Sequence, residues 1–202
     1  MLKENSLIIS YFNRCARECI MDDINDREDS MLEFFSRSWD IQPGDLILEP
    51  ACGSGRFTRW ISSRIHKTFT LFSFDMAPYM VEKAKRTDYR HKHLFFRGSS
   101  HCLPFLNLPF DRIIMINAFP HFESKSRCIS EMYRSLRLGG ALFINHFENK
   151  DRLNNFHAGL PCPINNHQIP EDDIMRGMLA DEGFRRILID SGNDYYMLSA
   201  LK

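Results

Sequence analysis

Residues 46–57 read LILEPACGSGRF. An apolar run from Leu46 to Leu48 leads into an acid, Glu49, and then to Gly53 and Gly55. A run with no polar alternation predicts a strand buried on both faces, the kind found in parallel sheets. Glycines just past such a strand predict a turn whose backbone something approaches closely. A carboxylate at the strand's end repels phosphate and favours a cationic group, such as an amine.

The pattern around this stretch alternates. Upstream, residues 5–20 and 26–39 have helical spacing, with Leu7, Tyr11 and Cys15 on one stripe and Met31, Phe34, Phe35 and Trp39 on another. DDINDRED between them predicts a solvated turn, and QPGD (42–45) a tight one. Downstream, 55–66 predicts a helix starting at the glycines. TFTLFSFD (68–75) predicts a strand ending in an acid, and 77–86 a helix with Pro78 in its first turn. Further strands are predicted at 93–98, 111–119 and 141–147, with a helix over 123–137 and a turn at LGG (138–140). Helices follow at 149–158 and 170–182, the second closed by Gly183. The last two strands, 184–190 and 195–201, form a hairpin across SGND.

Strands alternating with helices predict an α/β fold: a seven-stranded, mostly parallel sheet with helices on both faces and a C-terminal antiparallel hairpin. Residues 1–40 are expected to form a helical lid and 41–202 one compact domain. Ligands of such sheets bind beyond the carboxyl ends of the strands. Glu49, Asp75, Ser99, Asn117 and His146 all fall at predicted strand ends.

Composition narrows the function. The chain has 202 residues, 44% hydrophobic and 26% charged, as expected of a soluble globular protein. Lys+Arg and Asp+Glu both number 26, so the net charge is zero, which argues against a general nucleic-acid or acidic-membrane binder. No apolar run approaches bilayer length, and the start is too polar for a signal peptide, so a cytoplasmic location is expected. Six cysteines form no C-x-x-C pair, which argues against a zinc ribbon, and Cys15 and Cys19 read as small packing residues.

A dinucleotide fingerprint requires G-x-G-x-x-G, but here the third position is Thr58 and the first is Ala51. Asp75, ending the second strand, suits a pair of ribose hydroxyls. This ordered set of motifs resembles the class I S-adenosylmethionine (SAM)-dependent methyltransferases. Residues 46–55 are similar to their first motif, FSFDM (72–76) to the second, and RGSSHCLPF (97–105) to the third, with Ser99 in place of the usual acid. FDRIIMINAFPHF (110–122) and RSLRLGGALFI (134–144) are similar to the later motifs, and YFNRCA (11–16) to a segment that lies over the cofactor in the quinone-biosynthesis branch. The resemblance covers nearly the whole chain. It implies a Rossmann-like fold, SAM as cofactor, and cofactor contacts from Tyr11, Glu49, Ala51, Gly53, Gly55, Asp75, Met76, Ser99, Ser100 and Asn117. Ala51 fits the first motif provided that position does not need a positive φ.

A sulfonium methyl is already activated, so the protein must chiefly align an acceptor and exclude water. Where the acceptor carries a proton, a base titrating near neutrality assists. His121, His146 and His157 are the candidates, with metal binding by the three as an alternative. His66, His91, His93, His101 and His167 read as surface or loop residues. Asn117 lacks a following Pro-Pro-aromatic, and Cys162, in Pro-Cys-Pro, lies in a loop, so base and glutamine methylation find no motif here. Loops over 147–170, with Phe147, Phe156 and Leu160, are expected to line an acceptor pocket. A small-molecule acceptor is therefore expected; a non-catalytic SAM-binding protein, an RNA or protein methyltransferase, and a nicotinamide oxidoreductase are the rivals. The oligomeric state is not legible.

Overall fold

A computed structural model describes residues 2–20 (side chains from residue 6), 22–100, 103 and 109–202. The expectations for His101 and Cys102, and the end of the third motif, lie outside the described residues. Seven strands make one mixed, mostly parallel sheet in the order β3-β2-β1-β4-β5-β7-β6. The chain clusters into two compact units, residues 1–99 and 100–202, taken here in turn.

The first unit opens with helix α1 (Leu2–Arg17) and helix α2 (Asp26–Trp39). Helix α2 starts at a capping box, Asn25 accepting from the Glu28 amide while Glu28 reaches back to the Asn25 amide. Its core face is Leu32, Phe35 and Trp39; Phe34 is 40% exposed, because a helix packed on one side buries only one stripe. On α1 the buried residues are Ile8, Cys15 and Ala16; of the predicted stripe Cys15 is buried and Tyr11 half-buried, while Leu7 turns to solvent. The acidic DDINDRED segment is partly tied down: Asp22 pairs with Lys83, and Asp29 accepts from Trp60 Nε1 at 2.7 Å and from Arg64.

Strand β1 (Leu46–Pro50), helix α3 (Arg56–Arg64), strand β2 (Thr70–Asp75), helix α4 (Pro78–Ala84) and strand β3 (Lys92–Arg97) follow as predicted, with α3, β2 and α4 shorter than expected and β3 shifted by one residue. β1 pairs in parallel with β2, and β2 with β3. Ile47, Leu48, Leu71 and Phe74 are fully buried, as the uninterrupted apolar runs require. Helix α1 packs on α4, with Tyr11 and Phe12 against Cys15, Ala16, Ala77 and Met80.

In the second unit β4 (Phe110–Ile116) pairs in parallel with β5 (Leu136–His146). β4 stops three residues before the predicted end, because Asn117 turns to φ +52° and a 3-10 turn runs from Phe119 to His121. Helix α5 (Lys125–Ser135) leads straight into β5, so LGG is part of a strand rather than a turn. Gly139, at φ +76°, and a register shift between Phe110 and Arg112 absorb the irregularity as a bulge. Helix α6 (Lys150–Ala158), helix α7 (Asp172–Glu182), strand β6 (Arg185–Ser191) and strand β7 (Tyr196–Leu201) complete the unit. β6 and β7 form the predicted antiparallel hairpin, and β7 runs antiparallel to β5. No helix among the described residues is long and apolar enough to cross a membrane.

Candidate functional site

Two groups of polar residues stand out, one in each unit. In the first, the register sets Glu49 of β1 beside Ser73 of β2. Ser73 Oγ donates to Glu49 Oε2 at 2.7 Å, and Thr58 Oγ1, one turn into α3, donates to the same oxygen at 2.6 Å. Burial pushes the Glu49 carboxyl up to about 7, against the two hydroxyl donors that favour its charged form; the charge of Asp75 adds to the rise. Asp75 is pushed up to about 6, again by burial, and is held back by amide donors. Gly53 N–H donates to its Oδ2 at 3.0 Å and Ala77 N–H to its Oδ1 at 2.8 Å. Each carboxylate oxygen has a second lone pair, so Asp75 keeps capacity for two further donors.

The turn over these acids is a run of left-handed residues. Ala51 has φ +54°, Gly53 +57° and Gly55 +81°. The condition under which alanine fits the first motif without strain is therefore not met, and its Cβ costs about 1 kcal/mol there. The glycines differ in what surrounds them. A Cβ on Gly53 would meet nothing within 4 Å, whereas one on Gly55 would lie 2.9 Å from Ala84 Cβ and 2.8 Å from the Tyr89 hydroxyl. The close approach at Gly55 is made by the chain itself; the open backbone is at Gly53. Met76 is partly exposed beside Asp75 and accepts from Arg97 Nε at 3.3 Å, Ser99 is half-buried, and Tyr11 is partly buried on α1.

The second unit holds a cluster of histidines. His121, at the end of the 3-10 turn, has its Nδ1 2.9 Å from Nδ1 of His167, and its ring centre 5.1 Å from those of both His157 and His167. His157 Nδ1 lies 2.5 Å from the His167 carbonyl oxygen. His167 is 7% exposed, so it is a member of this cluster and not the surface residue its polar neighbourhood predicts. His93, also expected at the surface, is half-buried beside Tyr89 and Phe95. His146 is 1% exposed with both ring nitrogens unpartnered among the described residues, edge-on to Tyr196. Burial lowers every member of the cluster: His146 to about 3, His167 to about 4, His157 below its usual value, and His121 well below, with neighbouring imidazoles adding to the shift. Lys125, whose Nζ donates to the Pro120 and Phe122 carbonyls, is lowered to about 8 by burial. Among the described residues no three or more His, Cys, Asp or Glu are arranged to hold a metal ion.

Asn117 uses its side chain within the unit: Oδ1 accepts from the Phe147 amide at 3.1 Å. The Ser100 hydroxyl bonds to buried Cys128. Of the expected pocket-lining residues, Phe147 is buried, Leu160 half-buried and Phe156 63% exposed.

A family model described as a methyltransferase domain matches residues 48–144, from the buried strand through β5. Over that stretch the chain is similar to methyltransferases. It is 28% identical over 158 residues to the ubiquinone/menaquinone biosynthesis C-methyltransferase of Wigglesworthia glossinidia brevipalpis, a match covering 72% of this chain and 61% of that protein. The matches to the other curated relatives cover between 25% and 55% of their lengths. Two solved structures share the fold. One is a methyltransferase of Haloferax volcanii in complex with the Trm112 activator (TM-score 0.71, 16% identity, 94% of this chain and 96% of that one). The other is magnesium protoporphyrin IX methyltransferase of Synechocystis with bound SAH (TM-score 0.68, 20% identity, 98% and 99%).

Within this methyltransferase fold, several residues of the two clusters carry signals too weak to read from sequence. Thr58 marks the place where the dinucleotide fingerprint has glycine, and its hydroxyl binds the acid of the first motif. Ser73 becomes informative only once the β1–β2 register is known. His167 and Lys125 lie 46 and 4 residues from His121 in sequence, and no spacing rule connects them.

Proposed function

We propose that this chain binds SAM on the Glu49–Asp75 turn and transfers its methyl group to a small-molecule acceptor. One observation carries the reading: two buried carboxylates stand at the ends of paired parallel strands, beneath a turn whose Gly53 backbone is open. The donor set fits the cofactor. Asp75 is offered two ribose hydroxyls, and Glu49 an ammonium group. Gly53 leaves room for a chain to lie against the backbone. Ala51, Gly55, Met76, Ser99, Ser100, Asn117 and Tyr11 are proposed as supporting contacts, with residues 1–40 as a lid. When bound, SAM supplies a methyl group already activated on sulfonium.

His121, His146 and His157 are proposed to serve proton removal from the acceptor. Burial keeps them neutral at pH 7, the state a base requires. The names of several curated relatives, among them ubiquinone/menaquinone biosynthesis and 2-methyl-6-phytyl-1,4-hydroquinone methyltransferases, support a small-molecule acceptor, whereas a probable tRNA methyltransferase 9B of Bos taurus, 35% identical over 124 residues, supports the RNA alternative.

Calorimetry with SAM and with NADH tests the cofactor; tighter binding of NADH contradicts the proposal. A screen of candidate acceptors with label in the SAM methyl group tests transfer, and His121→Ala should reduce turnover while sparing SAM affinity.

A further inference from the structure

The histidine cluster contains a residue whose position suggests a task of its own. His167 touches two of the proposed bases through different atoms, its ring reaching His121 and its backbone carbonyl reaching His157. The segment is firmly placed. The His167 amide donates to the Ile164 carbonyl at 2.9 Å. Two residues on, Asn154 of α6 clamps Ile169, accepting from its amide at 2.9 Å and donating to its carbonyl at 3.0 Å.

These contacts constrain where protons sit. A carbonyl oxygen only accepts, so His157 must carry its proton on Nδ1. Two neutral imidazoles meeting Nδ1 to Nδ1 must have opposite tautomers, one donating and one accepting. All three rings are held neutral at pH 7 chiefly by burial, with Lys125 adding to the effect, so the tautomer is the remaining variable. A base that acts through Nε2 needs its proton on Nδ1.

We propose that His167 is a positioning residue: its ring accepts the Nδ1 proton of His121 and so holds His121 in the tautomer that presents Nε2 as a base, while its carbonyl holds His157 in the same tautomer. The inference rests on the reading of His121 as a base, and it assigns to His167 a role that leaves the acceptor and cofactor untouched.

Nitrogen-15 NMR of the histidine rings in the unliganded protein at pH 7 tests it, with signals assigned by single substitutions. The expected spectrum has His121 and His157 as Nδ1–H and His167 as Nε2–H. In His167→Ala the His121 signals should move to a mixture of tautomers while His157, held by backbone, keeps its own. His167→Asn, whose Oδ1 stands near the lost Nδ1, should restore His121. Turnover should follow the His121 tautomer, with kcat falling on the order of 10-fold in the alanine variant, recovering in the asparagine variant, and KM little changed. His121 found as Nε2–H in the native protein, or unchanged in His167→Ala, overturns the positioning role. The expected spectra together with a His121→Ala variant of full activity would instead remove the base that His167 is proposed to serve.

Discussion

The two units bury opposite chemistry. The first places two carboxylates, Glu49 and Asp75, under a left-handed turn; the second packs His121, His146, His157 and His167 near Lys125. Burial disfavours charge in both, but the consequences have opposite sign. Acids are driven to hold their protons and bases to lose them, so the two carboxyls titrate close to neutrality, where a cation can complete their ionisation, while the imidazoles stay uncharged there.

The largest expected effect of this contrast is on stability against pH. Glu49 and Asp75 bind protons more tightly folded than unfolded, so their contribution is greatest below about pH 4 and is lost as pH rises through about 6 to 7. The histidines bind protons less tightly folded, so their contribution is present above about pH 6.5 and is lost as pH falls, each by about 1.4 kcal/mol per pH unit. Native-state amide exchange between pH 4 and 7 should show opening free energies in 46–50 and 70–75 sloping one way and those in 141–146 the other. Slopes of the same sign would break the comparison.

A substitution sharpens it next. Asp75→Ala removes the ribose acceptor and the partner of the Gly53 and Ala77 amides, and should weaken SAM binding about 100-fold or more by calorimetry. Retained affinity would remove Asp75 from the cofactor site.

Smaller effects separate the two glycines. Gly55→Ala adds a Cβ against Ala84 and Tyr89 at positive φ and should cost about 2–4 kcal/mol in denaturant unfolding, whereas Gly53→Ala, with open space around it, should cost about 1. Gly53→Ala should nevertheless lose more SAM affinity than its stability change explains. Smallest of all, Ala51→Gly should relieve the left-handed strain and stabilise the protein by less than about 1 kcal/mol.

Much of this was legible in the sequence because strand signals are local. The apolar run at 46–48, the acid-ended strand at 70–75 and the closing hairpin were recoverable from periodicity and turn residues alone. LGG was not, since two glycines that normally break a strand here form a bulge inside β5. The candidate cofactor acids were visible as strand ends. Thr58 and Ser73, which receive no emphasis from composition, required the β1–β2 register and the first turn of α3. The histidine cluster was the least legible part. His167 sits in a polar stretch that predicts exposure, and only a second 3-10 turn, over Ile164–Asn166, and the Asn154 clamp carry it inward.

The most direct test of the central claim is titration of SAM into the protein between pH 5.5 and 8, in pairs of buffers with different ionisation enthalpies. A cation settling beside Glu49 and Asp75 must lower both from their raised values of about 7 and about 6, so binding should release protons near pH 6.5 and affinity should rise with pH before levelling off. Binding with no proton release and no pH dependence across that range, or no binding of SAM at all, would contradict the account.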